Sequence, residues 1–172
     1  EESCGSDTIT MYPLTECYWA GNTPTSEVVI ARSPEYGKVL FLDKELQSSE
    51  SDEAIYHEHL VHPVLAATDY VPEKRVLVVG GGEGATCREV LRWSKDAVSH
   101  IDWVDIDGPL VDLCRTHLGW ANDSVYQSPR ITFHAEDIRR FLSRTTHMYD
   151  VIILDLPDPD TDLLESGASY SD

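Results

Sequence analysis

The stretch that most restricts how this chain can fold is Arg75-Val76-Leu77-Val78-Val79, followed at once by Gly80-Gly81-Gly82-Glu83-Gly84. Unbroken strand formers without polar alternation describe a strand buried on both faces, and four glycines in five residues cannot continue it. A repeating rhythm follows. Residues 83–93 are expected to be helical, with Val90 and Leu91 facing inward, and residues 98–104 to form a strand. A helix over 109–118, a strand over 130–134, a helix over 137–143 and a strand over 150–154 complete it. Four strands with a helix between each successive pair make a parallel sheet covered by helices on both faces.

The first part reads differently. Residues 1–26 are polar and aperiodic, broken by Pro13, Gly21 and Pro24, and are expected to be a loose arm with one short strand near 17–19. Residues 27–32 and 38–42 are strand-like runs around the turn Pro34-Glu35-Tyr36-Gly37, so they read as a hairpin, with another turn at 43–45. Residues 51–67 carry apolar Ile55, Leu60, Val64 and Leu65 at helical spacing, and Pro63 is expected to kink or end that helix. The polar connection at 69–74 marks a boundary, giving an N-terminal unit over 1–70 and a second over 71–172. After Pro159 the chain is a polar loop and stops where a further helix is expected, so the C-terminal part of the fold is expected to be missing.

Charge narrows the ligand class. Among 172 residues, 13 Lys and Arg face 31 Asp and Glu, for a net charge of -18. Nucleic-acid binders need a basic footprint, which is lacking, whereas a strongly negative field attracts cations. Cys4, Cys17, Cys87 and Cys114 form no CxxC pair and no zinc spacing, so unpaired thiols in a reducing, cytoplasmic compartment are expected. No stretch approaches the ~20 apolar residues of a membrane span. The acidic start Glu1-Glu2-Ser3-Cys4 does not resemble a signal peptide, and without Met at position 1 the natural protein is expected to begin earlier.

In open α/β sheets, ligands bind beyond the carboxyl ends of the strands. Here every such end carries a carboxylate. Glu83 lies in the glycine turn, Asp105-Ile106-Asp107 follows the second strand, Glu136-Asp137 the third, and Asp155 surfaces directly after Val151-Ile152-Ile153-Leu154. Glycines let the backbone approach a ligand closely, which points to Gly80 and Gly82. Asp105, 23 residues beyond Gly82, stands where an acid takes both hydroxyls of a ribose. Asp137 reads equally as a helix N-cap and as a ligand contact. Pro157 and Pro159 hold Asp155 and Asp158 in a stiff loop. Tyr56-His57-Glu58-His59-Leu60-Val61-His62 is not a metal-binding HExxH, because Val61 occupies the second ligand position. No metal site is expected there, and Tyr56 and His57 read as polar pocket wall.

In order along the chain, several segments resemble the spermidine synthase, or polyamine aminopropyltransferase, family. They are residues 36–43 (YGKVLFLD), residues 46–53 (LQSSESDE) running into Tyr56-His57-Glu58, the glycine loop with Arg88-Glu89-Val90, Val104-Asp105-Ile106-Asp107, and Tyr149-Asp150-Val151-Ile152 leading to Asp155 and Asp158-Pro159. Ser128-Pro129-Arg130 matches in part. The resemblance implies a Rossmann-like, methyltransferase-type parallel sheet with a small N-terminal β-hairpin domain. It also implies transfer of an aminopropyl group from decarboxylated S-adenosylmethionine to a cationic polyamine, putrescine first among them, with no permanently bound cofactor.

On the same ground, Asp155 is the expected proton acceptor, with Asp158 holding the amine and Tyr56 and His57 lining its channel. Glu83 would grip the donor's aminopropyl ammonium and repel the carboxylate of intact S-adenosylmethionine. Asp105 and Ile106 would hold the ribose side, Asp137 and Ile138 the adenine edge, and Gln47 the donor. A homodimer is the family habit. Ser26, where the family commonly has Gln, and Asp160-Thr161-Asp162 after the Asp-Pro pair depart from the pattern. Three other readings stay open: an S-adenosylmethionine methyltransferase, a nicotinamide-dependent dehydrogenase on the loose glycine fingerprint, and a non-catalytic module that keeps the pocket.

Overall fold

A computed structural model of the chain describes residues 2–3 and 9–157. Asp158, Cys4 and the expected truncation of the C-terminal part lie outside the described residues. Strands β1 (Glu2–Ser3) and β2 (Ile9–Thr10) form a two-stranded antiparallel ribbon. Strands β3 (Glu16–Asn22), β4 (Glu27–Ser33), β5 (Gly37–Leu42) and β6 (Glu45–Ser49) form an antiparallel meander in that order.

The expected hairpin is therefore the middle of a four-stranded sheet. The short strand expected near 17–19 lies within the longer β3, whose extent is masked in the sequence by a register shift between Cys17 and Trp19 that breaks its two-residue alternation. Tyr18 and Trp19 still pack against Val28, Ile30 and Leu40. β6 lacks β-branched residues, and its pairing is set by the turn before it. Asp43 and Lys44 both take positive φ, 52° and 73°, the geometry of a tight two-residue hairpin between Leu42 and Glu45.

Helix α1 (Glu53–Ala67) contains Pro63 without ending there. Buried Val61 and Leu65 lie on either side of Pro63 and anchor the helix into the core, which offsets the lost backbone hydrogen bond. Ile55 faces solvent rather than the core. It stands two residues, roughly 200° of helical turn, from the buried series His57, Val61, Leu65.

Then come β7 (Lys74–Gly80), α2 (Ala85–Leu91), β8 (Val98–Asp105), α3 (Gly108–His117), α4 (Asp123–Tyr126), β9 (Ile131–Ala135), α5 (Ile138–Arg144) and β10 (Val151–Asp155). The sheet order is β10-β7-β8-β9, all parallel. After β9 the chain crosses back to the far side of β7, so the order reverses between β7 and β10. Such a switch point opens a crevice at the strand ends.

One face of this sheet presents Val76, Val78, Ile101, Trp103, Val151 and Ile153 to α1, α2 and α4. Among the described residues, the other face is covered less than expected. There α5 packs Phe141 on Leu77, Val79 and Val104, while Ile152 and Leu154 on the edge strand β10 stay more than half exposed. The two sheets are joined by Leu110, Cys114 and Leu118, which pack against Val28, Ile30 and Leu40. Cys17, Cys87 and Cys114 are free, and Cys17 is exposed rather than buried. Among the described residues, no helix is long and apolar enough to cross a membrane.

Candidate active site

A cavity of about 770 Å³ opens between the sheets at the switch point. Gly80 and Gly81 take φ of 81° and 68°, a region that side chains resist. Gly81 donates its N–H to the Asp155 carbonyl at 2.8 Å. The indole Nε1 of Trp103 donates to the Gly80 carbonyl at 2.8 Å, bracing the loop from below.

The cavity wall carries a cluster of buried charge. Asp155 is held by both oxygens: Tyr56 Oη donates to Oδ1 at 3.1 Å and Thr86 Oγ1 to Oδ2 at 2.5 Å. Burial, then the nearby Glu83 charge, raises the Asp155 pKa against the Thr86 and Tyr56 hydrogen bonds that lower it. His57 is 1% exposed and sits behind this wall. Its Nδ1 lies 2.6 Å from the Glu53 carbonyl oxygen, and its Nε2 is 3.8 Å from Glu83 Oε2 and 3.9 Å from Asp155 Oδ2. Burial alone would lower its pKa, but the hydrogen-bonding contact with Glu53 and the nearby carboxylates of Glu83 and Asp155 lift it to about 10. Glu53 is fixed by a two-pronged Arg88 contact at 3.1 and 2.9 Å. Burial raises the Glu53 pKa, and His57 and Arg88 together outweigh that and bring it below the ordinary value.

The same cavity carries a second pair of carboxylates, Asp105 and Asp137. Asp105 is nearly buried and accepts from the Asp107 N–H at 2.8 Å. Burial, with the charges of Asp107, Glu83 and Asp155, still pushes its pKa up to about 6. Ile106, Ile138 and Gln47 line the same cavity. Asp137 lines the cavity too while capping α5, accepting the Arg139 N–H at 2.7 Å, so its cap role leaves it on the cavity wall. The Arg139 hydrogen bonds hold the Asp137 carboxyl below the ordinary range.

The expected residues that the structure describes, Gly80 and Gly82 among them, line one cavity, with one exception. His57 is the exception to the expected lining, since its ring forms the layer behind Tyr56, Glu83 and Asp155.

Some residues were not anticipated. Asp107 caps α3 through Leu110 N–H at 3.0 Å and accepts from the hydroxyls of Thr23 and Thr25. It thereby latches the loop at 23–26, with Thr25 and Ser26, onto the cavity rim. Thr86 left no signal. Glu53 did leave one, since it stands four residues before His57 on a helix, where the two side chains meet.

Among the described residues, two groups have metal-like spacing. His57, Glu83 and Asp155 offer donor atoms within 4.8 Å of one another, as do Glu58, His62 and Glu89. Their chemistry argues otherwise. A protonated His57 ring presents an N–H to the carboxylates rather than a lone pair. His62 Nδ1 accepts from Trp93 Nε1 at 3.1 Å, so its Nε2 carries the hydrogen and donates to Glu89. Arg92 already supplies the cation for Glu58 and Glu89, at 2.9 and 2.8 Å.

Residues 53–166 match the family model described as the spermine/spermidine synthase domain. The chain is 43% identical over 161 residues to polyamine aminopropyltransferase 2 of Pseudomonas aeruginosa, covering 94% of this chain and 44% of that protein. It is 46% identical over 129 residues to polyamine aminopropyltransferase 2 of Bacillus anthracis, covering 74% and 35%. The crystal structure of a spermidine synthase in complex with the transition state analogue AdoDATO superposes with a TM-score of 0.77 at 30% identity, over 86% of this chain and 49% of that one. The spermidine synthase of Thermotoga maritima gives 0.75 at 29% identity, over 84% and 49%. The chain spans about half the length of these relatives.

Proposed function

The chain belongs to the spermine/spermidine synthase family, and from that membership we propose that it is a polyamine aminopropyltransferase. It moves the aminopropyl group of decarboxylated S-adenosylmethionine to a di- or polyamine, putrescine first, and releases methylthioadenosine. The observation that carries this reading is the single cavity lined by Asp105, Glu83 and Asp155, with buried His57 3.8 and 3.9 Å from the last two. A donor that joins a nucleoside to a cation fits a cavity walled by these carboxylates.

In this reading Asp105 accepts the ribose hydroxyls and Ile106 packs beside them. Asp137 and Ile138 meet the adenine edge, Gln47 contacts the donor, and the backbone at Gly80 and Gly82 passes close to it. Glu83 takes the aminopropyl ammonium, and its charge repels the carboxylate of intact S-adenosylmethionine. Tyr56 and Thr86 hold Asp155 so that its carboxylate accepts a hydrogen bond from the attacking amine. The amine nitrogen then bonds to the methylene beside the sulfonium, the carbon–sulfur bond breaks toward sulfur, and the amine's proton leaves toward Asp155. Fixing two reactants in line supplies much of the acceleration in such a transfer. Asp158 is assigned to the same amine by resemblance alone. Decarboxylated S-adenosylmethionine is a co-substrate, and the reading includes no permanent cofactor.

The proposal extends to a division into 1–70 and 71–172, supported by the two separate sheets. It extends also to a cytoplasmic homodimer, with the free thiols of Cys17, Cys87 and Cys114 supporting a reducing compartment.

Calorimetric titration with methylthioadenosine, against S-adenosylmethionine and nicotinamide adenine dinucleotide, tests the reading. Selective binding of methylthioadenosine that Asp105→Ala abolishes is expected. Preference for intact S-adenosylmethionine would put a methyltransferase in its place.

A further inference from the structure

A carboxylate oxygen of Glu83 and one of Asp155 lie within 4.8 Å of each other. Two negative charges that close, in a wall largely shielded from water, repel each other and would swing apart or take up a proton unless a polar hydrogen backs them. The ring of His57 stands where such backing is needed, with Nε2 3.8 Å from Glu83 and 3.9 Å from Asp155. Nε2 is buried and has no hydrogen-bond partner among the described residues, so these two carboxylates are what it faces.

The ring is aimed from behind. Nδ1 lies 2.6 Å from the Glu53 carbonyl oxygen and 3.2 Å from the Glu53 carboxylate. Both are acceptors, so Nδ1 carries its hydrogen and Nε2 is left to the wall. The Glu53 carboxylate is in turn gripped at both oxygens by Arg88, at 3.1 and 2.9 Å. Arg88 also donates to Glu89 at 2.8 Å and to the Trp120 carbonyl at 3.0 Å. All three nitrogens of its flat guanidinium are engaged, so it cannot turn from Glu53 without breaking its other contacts.

We propose that Glu53 and Arg88 are positioning residues for the transfer, acting through His57. The clamped Glu53 carboxylate holds the ring with Nε2 toward Glu83 and Asp155, and the ring holds those two carboxylates together in one wall. This rests on the aminopropyltransferase reading and deepens it, since Glu83 there takes the donor's ammonium and Asp155 the attacking amine. Each cation finds its own carboxylate at a set spacing, and the amine nitrogen meets the methylene in line. Arg88 is not among the residues lining the cavity and acts from two side chains away. Stability alone is a poor account of this chain of contacts, because a partly buried ion pair adds little over apolar residues of the same size.

The groups facing the His57 ring are Glu53 and Tyr56 from α1, Glu83 from the glycine loop and Asp155 from β10. The buried Cys87 thiol of α2 feels the Asp155 charge, and Arg88 reaches the ring through Glu53. The two ends of the clamp therefore act on the ring with opposite sign. Glu53 places an anion beside Nδ1, and Arg88 places a cation on that anion.

The test compares the full chain with Glu53→Gln and Arg88→Gln. It measures turnover of decarboxylated S-adenosylmethionine with putrescine, methylthioadenosine affinity, and the titration of His57 by NMR of its ring nitrogens. In both variants kcat is expected to fall about tenfold or more, while methylthioadenosine affinity stays within about twofold. The His57 titration is expected to move down in Glu53→Gln and up in Arg88→Gln. A merely structural role would lower kcat and methylthioadenosine affinity together, without opposed shifts. Unchanged kcat, joint loss of both, or shifts of one sign overturns the assignment and leaves the aminopropyltransferase reading standing. If Arg88→Gln fails to fold, Glu53→Gln decides alone, through lowered kcat with a downward shift or the absence of either. No turnover by the unsubstituted chain overturns the aminopropyltransferase reading, and this inference with it.

Discussion

Gly81 and Asp155 are joined twice. The Gly81 N–H donates to the Asp155 carbonyl at 2.8 Å, and a Cβ built on Gly81 would stand 2.6 Å from the Asp155 Oδ2 atom. The glycine loop is therefore fitted to the carboxylate at the end of the neighbouring strand, and each fixes the other.

Gly81→Ala is expected to disturb both partners. Its φ of 68° strains any side chain by roughly 1–2 kcal/mol, and the new methyl displaces the carboxylate held by Tyr56 and Thr86. Thermal unfolding should show the lost stability. Turnover should fall at least about tenfold, since small displacements of a positioned group are costly. Unchanged turnover would mean that Asp155 does not need this seat.

Asp107 ties the rim to the floor, and its loss should be felt at a distance. Asp107→Ala removes the α3 cap, worth about 1 kcal/mol, and frees Thr23 and Thr25. Denaturant unfolding should report the cap. Weaker methylthioadenosine binding should report the loop at 23–26, and undiminished affinity would show that this loop does not touch the donor.

The raised carboxyl of Asp105 gives a pH signature with a definite sign. Only the ionised form accepts hydrogen bonds from both ribose hydroxyls, so methylthioadenosine affinity should rise as pH increases through about 6. The linked stability runs the other way. A carboxyl raised in the folded state favours folding below its ordinary value near 3.8, and that contribution is lost as pH rises through about 6. Asp105→Asn should flatten both profiles in calorimetry and in unfolding.

Glu83 is expected to choose between donors. Glu83→Gln keeps the shape and removes the charge, so binding of decarboxylated S-adenosylmethionine should weaken while intact S-adenosylmethionine gains or holds. The ratio of the two affinities, measured by competition against methylthioadenosine, should shrink by about tenfold or more, in line with a charge-assisted hydrogen bond. An unchanged ratio would remove Glu83 from donor selection.

The parallel sheet was legible because its signals are local. Val76 to Val79 followed by glycines, and Val151 to Leu154 followed by Asp155, declare strand and ligand edge within a few residues. Asp137 announced itself as a cap by position alone. What escaped depends on partners far along the chain. The turn at 43–45 was legible, but β6 beyond it carries no β-branched residue, and β3 shows only its 17–19 segment because a bulge breaks its alternation. Asp107 joins hydroxyls more than eighty residues away. The Glu53, His57 and Arg88 cluster assembles only when α1 packs on α2. His57 read as pocket wall because a sequence gives helical direction but not depth.

The central claim is tested most directly by incubating the chain with decarboxylated S-adenosylmethionine and putrescine and resolving the products by mass. The account predicts spermidine and methylthioadenosine in equal amounts, with turnover falling at least about a hundredfold in Asp155→Asn while methylthioadenosine still binds. Methylthioadenosine binding without spermidine formation would contradict it and leave a nucleoside-binding module.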